Sequence, residues 1–190
     1  MMYKMPQFTF MKPFSIILFS LLFMMDAEAQ ELTKEEKYLY DLLMTYRKNN
    51  SLPEIALSPS LTYVAQQHVK DLESNKPDTG KCNLHSWSSN GKWTAMCYTN
   101  DHAKAKNMWS KPIELTHYPG RGYEIASMSS DSITAKEALQ LWKASSGHNA
   151  VMINQGIWKN AQWNAVGVGI YGKYAVLWFG EGKDNGLQIK

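Results

Sequence analysis

Cysteine is scarce in this chain: Cys82 and Cys97 are the only two in 190 residues. Neither belongs to a C-x-x-C pair, so thiol redox catalysis has little support. An excess of one charge is missing as well. Lys and Arg number 20 against 17 Asp and Glu, a net charge of +3. That mildly basic balance is spread thinly, with no basic stripe, so nucleic acid is not an expected partner. The cations of "KYLYDLLMTYRK" are expected on the solvated face of a helix. There is no G-x-S-x-G elbow and no H-E-x-x-H helix, the usual signs of an activated serine or a zinc peptidase. No internal repeat and no linker divides the chain.

Long apolar runs are lacking too, with one exception. Pro13 to Met25 is apolar, Lys12 precedes it, and the small-x-small triplet Ala27-Glu28-Ala29 follows. This pattern predicts an export signal over residues 1–29, cleaved before Gln30. The run is shorter than the roughly 20 residues of a membrane span, so no transmembrane segment is expected. No cysteine follows the cleavage point, which argues against a lipid anchor. Residues 30–190 then suffice for one domain with a proper core. In an exported chain, two cysteines suggest a Cys82–Cys97 disulfide, which would stabilise by about 3 kcal/mol through loop closure. Two unpaired thiols are the rival reading.

Thr33 with Glu36 forms a capping box before a helix running to about Lys48. Ser58-Pro59 opens a second helix with a buried stripe of Leu61, Val64, Ala65, His68, Val69 and Leu72. His68, on that apolar face, reads as a satisfied core or groove histidine. From Ser74 to about Asp131 the chain is loop-rich but too aromatic for a disordered linker. Thr134 with Glu137 reads as a second capping box, opening a helix through Trp142 that Gly147 ends in a left-handed turn. His148 to Ile153 adds a short turn. "AVGVGIYGKYAVLWFG" reads as a hairpin closed by Gly172-Lys173, packed on both faces. The polar tail after Glu181 is expected to fray.

These pieces, in this order, resemble the CAP superfamily, also called the SCP domain. "SLTYVAQQHVKDL" resembles its early helix, and "LHSWS" its first histidine, His85. "GYEIA" is similar to its Gly-Glu-Asn-Ile motif, which makes Glu124 the counterpart of the glutamate. "LWKASSGHNAVMIN" resembles the helix leading into Gly-His and identifies His148 as the second histidine. The resemblance implies an α/β fold, a three-layer α-β-α sandwich around a mainly antiparallel sheet, over residues 30–190. It also implies an open cleft holding histidines and glutamates, where several members bind a divalent metal. Two departures stand out. "GYEIA" lacks the asparagine, and Ser145 stands where a second glutamate would fall, leaving one cleft carboxylate.

Two readings of the site follow. His85 and His148 could each give a ring nitrogen to zinc or another divalent metal, with Glu124 orienting a metal-bound water. Alternatively, the His pair and the carboxylate simply hydrogen-bond one another. His102 and His117 are candidate extra ligands, though exposed loop positions suit them better. Ser86 beside His85, and Ser145 and Ser146 before His148, suggest no nucleophile, because adjacent residues rarely point at each other. The expectation is a secreted or periplasmic monomer that binds a ligand in its cleft without catalysis. The ligand would be a lipid, a cell-envelope component or a protein. The alternative is a zinc-dependent extracellular hydrolase with Glu124 as its base. A third reading gives function to the aromatic insert around Trp87 and Trp93.

Overall fold

The computed structural model describes residues 1–2 and 31–190. The export signal expected over residues 1–29 therefore lies, but for its first two residues, outside the described residues. Among the described residues, no helix is long and apolar enough to cross a membrane.

Helix α1 spans Lys34–Asn49 and opens on the expected capping box: Glu36 N donates to Thr33 Oγ1, and Thr33 N donates to Glu36 Oε2. Glu36 is buried and also accepts from Gln66 and from the backbone N–H of Ile170, so the cap ties three elements together. Helix α2 spans Pro59–Asn75, with Ser58 capping Leu61 N and proline at the first helical position, where no donor is lost. Two short helices follow, α3 (Ala105–Trp109) at the end of the aromatic insert (residues 86–109) and α4 (Lys111–Leu115) just after it.

Strand β1 (Gly122–Met128) comes next, then helices α5 (Ala135–Ala144) and α6 (Ser146–Met152), and finally β2 (Ala165–Tyr171) and β3 (Tyr174–Gly180). The sheet is antiparallel with order β1-β3-β2, and Glu124 pairs with Trp178. β3 is central and buried along its whole length. Its side chains alternate between two cores, as the two-residue strand period requires. Ala175, Leu177 and Phe179 join α1 and α5 on one side. Val176 and Trp178 join α2 and the insert on the other. These are the three layers expected. The approach of α2 depends on two glycines of β2: a Cβ on Gly167 would lie 2.1 Å from the Leu61 carbonyl carbon, and one on Gly169 2.6 Å from that of Ala65.

Several local expectations are corrected. Thr134 caps Glu137 N, but the Glu137 carboxylate accepts from Ser129 instead of reaching back, so there is no capping box. Gly147 does not end α5. Ser145, in extended conformation, separates α5 from α6, and Gly147 lies inside α6. Arg47 is buried rather than solvated, donating to Pro53 O, Met152 O and Asn154 Oδ1. The tail is anchored rather than frayed: Asp184 accepts from Ser58 and Ser60 at the start of α2, and Gln188 and Lys190 pair with the chain around Leu115 to His117.

Candidate functional site

Glu124 sits on β1, an edge strand, and the alternation that sends Ile125 toward α1 and α5 sends Glu124 toward α2. There it meets His68. His68 Nδ1 lies 2.5 Å from Glu124 Oε2, and its Nε2 donates to the Ser86 carbonyl at 2.9 Å. A carbonyl only accepts, so Nε2 carries a hydrogen, and one further proton lies between Nδ1 and the carboxylate. The pair is neutral whichever atom holds that proton. Both side chains are fully enclosed. The Trp87 ring stacks on the imidazole at 4.1 Å between centroids, nearly parallel at 5°. Lys111, itself buried, places its ammonium 5.2 Å from the Trp87 ring.

His85 occupies the other carboxylate oxygen, its Nδ1 2.7 Å from Glu124 Oε1. The insert holds this ring in place. His85 N donates to Asn83 Oδ1, Asn83 N to Tyr98 O, and Tyr98 N to Ser86 Oγ. The Cys82–Cys97 disulfide closes the base of the same loop. Burial on its own would raise the Glu124 carboxyl, but the charge and hydrogen bonds of His68, with those of His85, outweigh it and bring it below the usual range. Among the described residues His85 Nε2 has no hydrogen-bond partner, and it is not one of the buried unpartnered atoms, so it stays accessible.

His148, on α6, lines the same cleft as His85 and Glu124. Burial, reinforced by His85, lowers its pKa against the opposing pull of Glu124. The cavity measures about 440 Å³, within the roughly 300–1,000 Å³ of small-molecule sites. Three consecutive β1 residues, Tyr123 to Ile125, line it, so the free edge of the strand forms its floor. Trp109, Trp158 and the exposed Ile157 form its walls, and Ser145 lies beside His148.

The structure therefore brings His85, His148 and Glu124 together. His68 is the satisfied buried histidine expected, held by Glu124 and the Ser86 carbonyl behind the site. His102 shares the cleft and lies 3.0 Å from the Tyr98 hydroxyl. His117 is exposed and takes no part in the cleft lining. Trp87 is buried and Trp93 packs on it, so this pair props the site from behind, while Trp109 at the far end of the insert lines the cavity. One signal could have flagged His68. A lone imidazole on an apolar helix stripe and a lone carboxylate in an apolar strand each need a buried partner.

A divalent ion here would find His85 Nε2 and a His148 nitrogen. Glu124 has no oxygen to spare, and among the described residues no three His, Cys, Asp or Glu side chains group to hold a metal. The donor set falls short of the three protein ligands of a catalytic zinc.

The fold has relatives. An extracellular protein containing an SCP domain, from Bacillus anthracis, is similar at 21% identity and a TM-score of 0.53, over 78% of this chain and 44% of that one. An outer surface protein from Borrelia burgdorferi is similar at 18% identity and a TM-score of 0.52, over 80% of this chain and 97% of that one. This chain thus spans less than half the length of the Bacillus protein. Among curated proteins none matches it. The sequence pattern of the cysteine-rich secretory protein family, CAP, matches residues 40–176. With that match spanning most of the chain, and with its α-β-α layers and its histidine cleft, the chain belongs to the CAP family.

Proposed function

We propose that this protein is an exported binding protein whose cleft takes a small ligand on His85 and His148 and does not transform it. The signal-like segment at residues 1–29 supports export, and so do the extracellular and outer-surface descriptions of its structural relatives. One observation carries the binding reading. Glu124 is enclosed with both oxygens engaged, while His85 Nε2 and the His148 ring have no hydrogen-bond partner among the described residues. A general base must reach a substrate proton or a water, and this carboxylate is sealed away from both. Its work is to fix the His85 tautomer, leaving Nε2 for the ligand. An added divalent ion would sit on the same two rings as a guest rather than a resident cofactor.

A fragment library titrated into isotope-labelled protein tests this. Hits should perturb the ring signals of His85 and His148, and His148→Ala should abolish them. Hits confined to the separate hollow beside Glu54 and Asp184 would overturn the reading. So would zinc-dependent cleavage of a peptide library that Glu124→Gln removes.

A further inference from the structure

We infer that the ligand of this cleft is a neutral saccharide, stacked on an aromatic face of the wall formed by Trp109, Tyr123 and Trp158, with its hydroxyls bonded to His85, His148 and Ser145. The inference rests on the binding reading above and names the ligand class.

The first observation is the ring wall. Tyr123 lies 5.5 Å from Trp109 and 5.0 Å from Trp158 between ring centroids, and all three rings are partly exposed in the cavity. Trp163 backs Trp158 at 5.5 Å and Tyr123 at 5.6 Å, and itself packs on Phe179 at 5.6 Å, so the core supports these two rings. Fixed aromatic faces suit flat, C–H-rich surfaces.

The second observation is polar. The Tyr123 hydroxyl, the Trp109 and Trp158 indole N–H groups, the Ser145 hydroxyl, His85 Nε2 and the His148 ring make no hydrogen bond within the described residues. None of them is among the buried unpartnered atoms, so all remain accessible. Accessible donors and acceptors therefore share the cavity with the aromatic rings.

The third observation is charge. Among the described residues no lysine or arginine lines the cavity, and its one carboxylate is neutralised by His68. Arg121, over the Trp109 ring at 5.9 Å, is exposed and outside that lining, so an acidic ligand finds no buried counter-charge there. An acyl chain would leave the unpartnered donors stripped of water, at about 1–3 kcal/mol for each. A pyranose ring answers both demands, with apolar C–H faces and a rim of hydroxyls that both donate and accept.

Calorimetry and tryptophan fluorescence with β-1,4-linked trimers of glucose and of N-acetylglucosamine, and with oleate as the lipid arm, decide the matter. At least one trimer should bind saturably. Trp158→Ala and Trp109→Ala should each weaken it tenfold or more, whereas Trp158→Phe, which keeps a ring face, should hold within about threefold. Unchanged circular dichroism and melting temperature would show that each variant folds. Oleate binding that depends on His148, with no trimer binding, would overturn the saccharide and leave the binding cleft standing. Trimer binding unaffected by either tryptophan variant would overturn it by placing the site elsewhere. Silence from all three probes would also overturn it, while the fragment titration judges the cleft separately.

Discussion

His68 Nδ1 and Glu124 Oε2 meet at 2.5 Å inside the molecule, both side chains without exposed surface. This contact joins helix α2 to strand β1 and sets the orientation of the carboxylate that His85 leans on. Truncating the imidazole would strand a buried carboxylate. Breaking a buried pair from one side costs about 3–5 kcal/mol, much more than the pair's net worth. His68→Ala should therefore lower unfolding stability by that amount in denaturant titration. Glu124→Gln, which keeps the shape and one hydrogen-bonding oxygen, should lose less. Equal losses would mean that packing, not charge, sets the cost.

Acid should weaken the fold in two separate stages. The His148 pKa is lowered in the native state, chiefly by burial. The unfolded chain therefore takes up that proton first, and stability falls as pH drops from about 6.5 toward the native value. The Glu124 carboxyl is also lowered, so its contribution is present above about pH 4.3 and is lost below that as the native group protonates. Melting curves between pH 7.5 and 3 should show both slopes. His148→Gln should remove the upper one and leave the lower. A flat profile from pH 7 to 5 in the unsubstituted protein would contradict the placement of His148.

Glycine positions separate tight packing from open space. A Cβ at Gly167 has no room against the Leu61 backbone, and backbone cannot yield as a side-chain tip can. Gly167→Ala should cost about 3 kcal/mol or more by overpacking. Gly147, within α6, has nothing near its would-be Cβ. Gly147→Ala should stabilise by about 0.5 kcal/mol through helix propensity. Chemical denaturation of both variants checks the opposite signs.

The layers and most helix starts were legible because local signals and burial agree there. Thr33, Ser58 and Thr134 all cap as their spacing suggests, and β3 reads as a two-faced strand because it is one. Errors arose where a distant partner outbid the local rule. Arg47 turns inward to oxygens of Met152 and Asn154, more than 100 residues away in sequence, and Asp184 ties the tail to α2; Glu137 turns to Ser129, eight residues away on the loop after β1. The site was half legible. His85, Glu124 and His148 stood in recognisable motifs, but the aromatic wall draws Trp109, Tyr123 and Trp158 from three separate elements, and no short window of sequence contains them.

The disulfide closes a loop whose two arms carry His85 to Trp87 and Met96 to Tyr98, paired through the Trp87–Met96 bridge. Cys82→Ser with Cys97→Ser should cost about 3 kcal/mol by the loop-closure argument. For a chain of this size that is a fall of about 6–12 °C in Tm. Reduction of the unsubstituted protein should match the double variant in a calorimetric scan. Faster amide exchange should appear first around Asn83 to Trp87, because those bonds close the loop beneath His85.

Arg47 governs how firmly His148 is presented. Its Nη1 donates to Met152 O at 2.6 Å and to Asn154 Oδ1 at 2.8 Å, and its Nε donates to Pro53 O at 3.1 Å. Beside it, the Tyr46 hydroxyl donates to Asn149 Oδ1. Helix α6 is only seven residues long, too short to hold itself, so α1 supplies its anchorage. Burial lowers the guanidinium to about 10, which leaves it charged at neutral pH. Arg47→Met keeps the apolar stem and removes all three donations, leaving buried acceptors unmatched at about 1–3 kcal/mol in all, net of repacking. Arg47→Lys should recover only part of this, because a single ammonium cannot reproduce the planar fork. Hydrogen exchange separates the local effect from a global one. The amides of Val151 to Ile153 should open faster in Arg47→Met while those of α2 keep their protection. Uniform loss across both helices would show that Arg47 props the whole core instead of the one short helix that carries His148.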